Sequence, residues 1–335
     1  MADGTLTSPA QASPSPVDLR PLTTSELIDR GFTLYRNHFT GFLLIALLGQ
    51  TAPLLGEIVI TGMKLSPTKN DLLTRPLMFF GMMGLLLCVR LLAMVIVFGF
   101  SVAVTFYISD AYLGKVPSVA DSLKKLTLRL GRTAWTCLAN MVLIALTFLF
   151  PIVVFFAAVF YYAFNPPTQF GAILIYGLIT GLMFLLSLAP VLIVFMRLML
   201  TTPVLALEGR SGWKSIRRSA ALVRYDPGLG ILYWGEMRLS FLLLPLFIIE
   251  LLSLALTGLP LVIFEISETL RNGSLGQLVA PPDSTVIISQ IVTYLVGALI
   301  WPLYSIAITL FYYDVRIRRE GFDLEFMASH LETGK

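Results

Sequence analysis

Six ionisable residues lie inside long apolar runs of the sequence, where a charge is costly. They are Glu57, Arg90, Arg197, Glu236, Arg238 and Glu250. At the centre of a membrane helix a charged side chain costs about 2.5–3.5 kcal/mol on insertion scales, so each one needs a partner, water or a route to the interface. Groups of this kind either line a polar pathway or form structural ion pairs. We select Glu57, Arg90 and Glu250 as the candidate intramembrane polar residues.

The other three charged residues are predicted to avoid the cost of burial in the hydrocarbon region. Arg197 and Arg238 fall near the ends of their runs and are predicted to extend to the interface, with Glu236 sharing their environment. Arg90 and Glu250 lie deeper, and their opposite signs predict an ion pair between the second and fifth runs. The alternative is that Arg90 reaches the lipid headgroups on the far side of the membrane.

Residues for acid–base or metal chemistry are scarce. The chain has two histidines, His38 and His330, and two cysteines, Cys88 and Cys137, both within apolar runs. There is no HExxH, P-loop, GxSxG or dinucleotide-binding glycine pattern. We therefore expect no enzymatic activity, no catalytic residues, no bound metal and no cofactor.

The elements that carry these residues are membrane helices. Of 335 residues, 56% are hydrophobic and only 13% are charged, whereas a soluble domain carries roughly 25% charged residues. A span needs about 20 apolar residues, and six runs qualify. They are residues 40–62, 76–109, 133–164, 171–200, 229–259 and 285–313. The prediction is an all-α, polytopic membrane bundle of residues 22–327, with a disordered tail of residues 1–21 and a C-terminal tail of residues 328–335.

The second run is too long for one upright span and must tilt, protrude or break. Prolines within or at the ends of the runs, such as Pro53, Pro151 and Pro190, remove backbone donors and favour kinks.

Orientation follows from the distribution of Lys and Arg. Most of the 24 lie in the N-terminal segment, the second and fourth loops and the tail, and few lie in the loops between these. By the positive-inside rule, both termini are predicted to be cytoplasmic. The predicted location is the inner (cytoplasmic) membrane of the cell. Basic segments at that surface are predicted to contact anionic lipid headgroups or another membrane protein, and we expect no nucleic-acid partner.

Three short segments before odd-numbered spans are predicted to be amphipathic interfacial helices on the cytoplasmic side. Thr23 and Glu26 form a capping box pattern before the first, and Ser118 and Ser211 are placed to cap the second and third. Each precedes a hairpin of similar length, which leaves open whether the chain contains an internal repeat.

The last span ends in FYYDVRIRREGFDLEF, residues 311–326. Asp314 and Arg318 have the i, i+4 spacing of a helical ion pair, and Gly321 can end the helix. The acids beyond, Glu320 and Asp323 among them, are predicted to dock the tail on basic helices. We call the predicted set the cytoplasmic collar; it comprises Arg197, Glu208, Arg217, Arg218, Asp314, Arg316, Arg318, Glu320 and Asp323.

Two stretches also resemble a known family. They are RLMLTTPVLALEGRSGWKSIRRSAALVRYDPG, with an Arg near the fourth span's end, a Pro, an EG turn and an RS in a basic helix, and the closing YYDVRIRREGFDLE. This pattern is similar to the prokaryotic family named for the membrane domain of glycerophosphoryl diester phosphodiesterase. The resemblance implies a six-span fold. Some members of that family also carry a soluble phosphodiesterase barrel, which takes about 250 residues. No stretch outside the spans is that long here, so we do not transfer the phosphodiesterase activity.

From these residues we expect a non-enzymatic protein that organises or regulates envelope components through headgroup or membrane-protein contacts. A transporter or lipid-translocating protein that uses the intramembrane charges is the alternative. A glycerophosphodiester hydrolase is the third and least supported possibility.

Overall fold

The computed structural model describes residues 20–62, 75–164, 170–224, 235–272, 281–322 and 324. Regular structure in these ranges is helical. In chain order the helices are α1 (Thr24–Asn37), α2 (Phe39–Gly62), α3 (Pro76–Tyr112), α4 (Val119–Thr127), α5 (Leu130–Phe164), α6 (Phe170–Leu198), α7 (Trp213–Val223), α8 (Gly235–Asn272) and α9 (Asp283–Glu320). A short helical turn, Thr201–Pro203, and a π-helix, Val204–Glu208, lie between α6 and α7.

Six of these helices, α2, α3, α5, α6, α8 and α9, are long and apolar enough to span a membrane, which confirms the predicted number of spans. Backbone groups cannot find water in a bilayer core, so an apolar run of this length must satisfy them within a helix. The prolines lie inside continuous helices. The predicted tail of residues 1–21 falls almost entirely outside the described residues.

The helices extend further than the apolar runs. α3 is a single helix of 37 residues, so the long second run does not break. α8 continues past Pro260 to Asn272, and α9 continues to Glu320, where Gly321 adopts the left-handed conformation predicted for a helix end. Helical hydrogen bonding does not require apolar side chains, so a helix can leave the hydrocarbon region without changing its backbone.

The buried core lies at one end of the bundle, where α2, α5 and α8 begin and α3, α6 and α9 end. Fully buried members include Phe42 of α2, Ile108 of α3, Leu242 of α8 and Phe311 of α9. α9 packs between α2 and α8, and α1 packs against α9. The remaining lengths of the long helices expose many large apolar side chains, as expected of surfaces that face lipid.

The start of α1 has the predicted capping box. The N–H of Glu26 donates to the Thr23 hydroxyl, and the N–H of Thr23 donates to the Glu26 carboxylate at 2.7 Å. The backbone hydrogen bond from Thr23, together with hydrogen bonds from the Arg20 and Thr23 side chains, lowers the pKa of Glu26 to about 2. Leu22 and Leu27, which flank the cap, are both buried. Ser118 caps α4 as predicted, accepting from the N–H of Asp121.

The prediction for α7 was wrong, because Ser211 does not cap it. The N-cap is Gly212, with φ 57° and ψ −134°, and its N–H donates to the Thr136 hydroxyl of α5 at 2.8 Å. This backbone conformation is essentially restricted to glycine. α7 is therefore fastened at its start to a neighbouring helix, and the sequence around Ser211 carries no sign of that partner.

Substituting Gly212 by alanine should lower the free energy of unfolding by about 1–3 kcal/mol, the usual cost of one strained backbone residue. A Cβ at this position would also collide with the indole ring of Trp135. SDS titration in mixed micelles measures the loss. The matched control is Gly131→Ala in α5, where a Cβ meets no atom within 4 Å and alanine favours the helix. Equal stability of the two variants would contradict the assigned role of Gly212.

Candidate functional site

Asp314 is the centre of the first charged cluster, and its side chain has no exposed surface. Arg318 Nε donates to both carboxylate oxygens at 3.1 and 3.0 Å, and Arg238 Nη2 donates to Oδ2 at 2.8 Å. The N–H of Leu22 donates to Oδ1 at 2.8 Å, while the Leu22 carbonyl accepts from Arg318 at 2.6 Å. This Asp314 cluster therefore ties the segment before α1 to α8 and α9.

Glu208, the last residue of the π-helix, is the centre of the second cluster. It accepts from Arg218 Nε at 3.0 Å to each oxygen and from the Tyr312 hydroxyl at 3.1 Å. Arg218 also donates to Glu320 at 2.7 Å, and Glu320 accepts from Arg316 Nε at 3.0 Å. Partial burial lowers the pKa of Arg218, but its hydrogen bonds and charge interactions with Glu320 and Glu208 raise it overall. This Glu208 cluster joins α7 and α9.

The two clusters contain most of the residues predicted for the collar, and Glu320 docks on Arg218. Arg197 stands apart from the clusters and pairs with Glu236 at 3.4 Å, which agrees with the predicted shared environment of these two residues. Arg217 is exposed and belongs to neither cluster. Asp323 lies outside the described residues. Arg238 pairs with Asp314, and its side chain is 15% exposed.

The two clusters can hold helices together through ion pairs. Their carboxylates accept hydrogen bonds from arginines, which remain charged at any accessible pH and bind both oxygens at once. Within the ranges that the structure describes, no group of three or more His, Cys, Asp or Glu side chains could hold a metal ion.

Other cations at the same end point outwards. We call them the outward cations; they are Arg36, Lys115, Lys124, Arg132, Lys214, Arg217 and Arg224, all exposed. Among the described residues their side chains have no hydrogen-bond or ion-pair partner. Trp135 and Trp213, also exposed, lie in the same segments. The carboxylates of Asp314 and Glu208 pair with the arginines of the two clusters, so they do not neutralise the outward cations. The surface formed by α4, α7 and the adjacent helix ends is therefore basic.

The intramembrane charges are paired differently from the prediction. Arg90 of α3 forms an ion pair with Glu57 of α2, with side chains 59% and 13% exposed. The predicted pair of Arg90 and Glu250 is wrong, because α3 packs against α2 whereas α8 packs mainly against α9. Glu250 is exposed and has no ion-pair partner among the described residues.

A cavity of about 800 Å³ lies between α3, α5, α6, α8 and α9. Most of its lining is apolar. Polar side chains also line it, among them Ser101, Asn140, Thr201, Thr202 and Ser240. Asn140 and Thr201 are 9% and 1% exposed. This volume is within the range of small-molecule sites, which combine an apolar lining with a few placed polar groups.

A scan against protein-family models gives no match to this chain, and searches of curated proteins and of solved structures give none either. The resemblance to the glycerophosphoryl diester phosphodiesterase membrane domain family therefore stays a prediction.

Sequence reasoning missed Asn140 and the other residues that line the cavity. One signal was available, since Asn140 is an amide within the apolar run 133–164 and a polar side chain inside a span usually has a packing or functional reason. Thr201 and Ser240 gave no such signal. Hydroxyls are ordinary in membrane helices because they can donate to their own backbone.

Proposed function

We propose that the protein resides in a cytoplasmic membrane with both termini in the cytoplasm, and that α1, α4 and α7 lie at the inner interface. Each of these short helices buries one side against the bundle, through Leu27, Leu126 and Ile216 respectively. The outward cations lie at this end of the molecule, which supports the orientation through the positive-inside rule. Trp135 and Trp213 suit an interfacial depth.

The function that this geometry supports best is a non-enzymatic one. The outward cations bind anionic lipid headgroups and, through them or through a membrane partner, the protein organises its surroundings. The observation that carries the proposal is the separation of the two kinds of charge. The clusters around Asp314 and Glu208 are internally satisfied, so their arginines serve the fold, whereas the cations of α4 and α7 remain available. Each basic side chain near an anionic leaflet contributes about 1 kcal/mol.

The test uses the full chain in nanodiscs that contain equal amounts of phosphatidylglycerol and phosphatidylcholine. Native mass spectrometry counts the lipids that stay bound on release. We expect the wild type to retain phosphatidylglycerol preferentially. The triple variant Lys214→Gln, Arg217→Gln, Arg224→Gln should lose this preference by about fivefold per charge removed, since about 1 kcal/mol corresponds to that factor.

Arg75→Gln is the matched control, because Arg75 is a cation at the opposite end of the bundle, beside the start of α3. It should leave the preference unchanged. A triple variant that retains the same lipids as the wild type would overturn the proposal. A preference that falls by the same factor per charge removed in the Arg75 variant would show that total charge matters rather than the position of the outward cations.

A second candidate function, lipid or solute translocation, is favoured by one observation, the cavity among five helices. The intramembrane charges support it less, because Glu57 and Arg90 neutralise each other. A hydrolase has no supporting observation.

A further inference from the structure

Glu250 is an intramembrane carboxylate without a counter-charge among the described residues, and its side chain is exposed. At 1.5 Å per residue it lies about 22 Å along α8 from Gly235. This position falls within the hydrocarbon layer, which is about 30 Å thick. A carboxylate at that depth is costly unless a positive charge or water compensates it.

The face of α8 that carries Glu250 points into the bundle. Residues seven positions apart lie almost in line along a helix of about 3.6 residues per turn. Leu243 precedes Glu250 by this spacing and Thr257 follows it by the same spacing, and both are buried. Because Glu250 is exposed between two buried residues, the neighbouring helices must leave an opening at its level.

That opening adjoins the cavity of about 800 Å³ described above. Leu243 and Phe247 both line the cavity, and Glu250 follows Phe247 by less than one helical turn. Tyr304 of α9, another lining residue, is within electrostatic range of Glu250. The carboxylate of Glu250 therefore lies beside the end of the cavity that is farther from the Asp314 and Glu208 clusters.

The walls of the cavity suit a cation better than an anion. Four helices contribute aromatic lining residues, namely Phe98, Phe195, Phe247, Trp301 and Tyr304. The faces of aromatic rings attract positive charge. No charged side chain is found among the described residues that line the cavity, so a buried anion would lack a counter-charge. A cation would have Glu250 beside it.

The mouth of the cavity faces the bilayer. The lining residues that are about half exposed are Leu192 and Phe195 of α6 and Leu244 and Phe247 of α8. They are apolar and belong to helices long enough to cross the membrane, so the gap between α6 and α8 opens towards acyl chains. A ligand that enters here needs an apolar body. Its charge must be shielded by apolar groups, because a compact, strongly hydrated ion would lose its water on entry.

We propose that this cavity binds a hydrophobic cation. The apolar body of the ligand lies among the aromatic residues, and its positive charge lies beside the Glu250 carboxylate. This goes beyond the proposed headgroup function, which concerns anionic lipids on a different surface.

The experiment uses two ions of the same shape and opposite charge. Tetraphenylphosphonium and tetraphenylborate both carry four phenyl rings on a central atom. Each is added separately to the full chain in an uncharged maltoside detergent. We expect tetraphenylphosphonium to raise the thermal unfolding temperature by binding the folded state, and equilibrium dialysis to find one bound ion per chain. Tetraphenylborate should not raise the unfolding temperature.

Glu250→Gln tests the role of the carboxylate with little change in shape. It should lower the affinity for tetraphenylphosphonium by at least about tenfold, since it removes one partner of a desolvated charge pair. Glu265→Gln is the matched control, because Glu265 is also an exposed glutamate of α8 but lies about four turns further along the helix. This control should bind tetraphenylphosphonium as the wild type does.

Leu244→Trp tests the role of the cavity, because a larger side chain narrows the mouth and leaves Glu250 in place. It should weaken the binding of tetraphenylphosphonium. Leu178→Trp is its control, since Leu178 of α6 is exposed and is not one of the residues that line the cavity. The triple variant of the outward cations should bind tetraphenylphosphonium normally, so this inference and the headgroup proposal can fail separately.

Four results would overturn the inference. An equal rise in unfolding temperature with tetraphenylborate would show that the site does not select positive charge. Wild-type affinity in Glu250→Gln, or an equal loss in Glu265→Gln, would remove the specific role of Glu250. Wild-type affinity in Leu244→Trp would show that the cation binds outside the cavity.

Discussion

Replacing Asp314 by asparagine should lower the free energy of unfolding by about 3–5 kcal/mol, the loss typical when one partner of a buried ion pair is removed. The asparagine keeps the shape of the side chain but leaves Arg238 and Arg318 without a carboxylate. Arg238 is the costlier of the two, because its side chain is 15% exposed and Arg318 is 39% exposed. SDS titration and thermal unfolding in detergent measure the effect.

Glu320→Gln is the matched control for that variant. Glu320 also accepts hydrogen bonds from two arginines, Arg218 and Arg316, but its side chain is 28% exposed and solvent screens the pairs. We expect a loss of about 1 kcal/mol or less. A second readout separates the clusters. Asp314→Asn removes the carboxylate that holds Arg318 and Arg238 beside the Leu22 carbonyl, so it should speed proteolysis near Leu22. Equal stabilities of the two variants would refute the central position of Asp314.

The features that sequence predicted well are local ones. Six spans follow from the length and apolarity of six runs, and a polypeptide in a bilayer has few alternatives to a helix. The capping box of Thr23 and Glu26 joins residues three positions apart, and the pair of Asp314 and Arg318 joins residues four apart. Both arise within one helix or its first turn, so no knowledge of the neighbouring helices was needed.

The features that sequence could not predict depend on which helices are neighbours. Leu22 and Asp314 are 292 residues apart, and no pattern in either segment identifies the other. The start of α7 at Gly212 depends on a hydroxyl from α5, and the Asn140 amide depends on Thr201 from the turn after α6. Arg90 was assigned to Glu250 by opposite charge alone, although the packing of α2 against α3 brings Glu57 to it instead.

Breaking the ion pair of Glu57 and Arg90 should have the second large effect on stability. Glu57→Gln should lower the free energy of unfolding by about 2 kcal/mol. The substitution leaves the Arg90 charge in apolar surroundings, which at a helix centre costs about 2.5–3.5 kcal/mol. We expect the smaller loss of about 2 kcal/mol because Arg90 lies near the edge of the hydrocarbon layer rather than at its centre. At 1.5 Å per residue, Glu57 and Arg90 lie about 27 and 33 Å from the helix ends at the core. The hydrocarbon layer is about 30 Å thick, so Arg90 can reach its boundary.

A double variant separates the charge from the packing. Glu57→Gln with Arg90→Gln removes both charges, so it should recover most of the stability that the single substitution loses. Glu250→Gln serves as the control, because Glu250 is exposed and has no ion-pair partner among the described residues; it should leave stability unchanged or raise it. If Glu250→Gln destabilised the protein as much as Glu57→Gln, while the double variant gave no recovery, Arg90 would depend on Glu250 after all. Recovery in the double variant alone would establish Glu57 and Arg90 as a structural pair between α2 and α3.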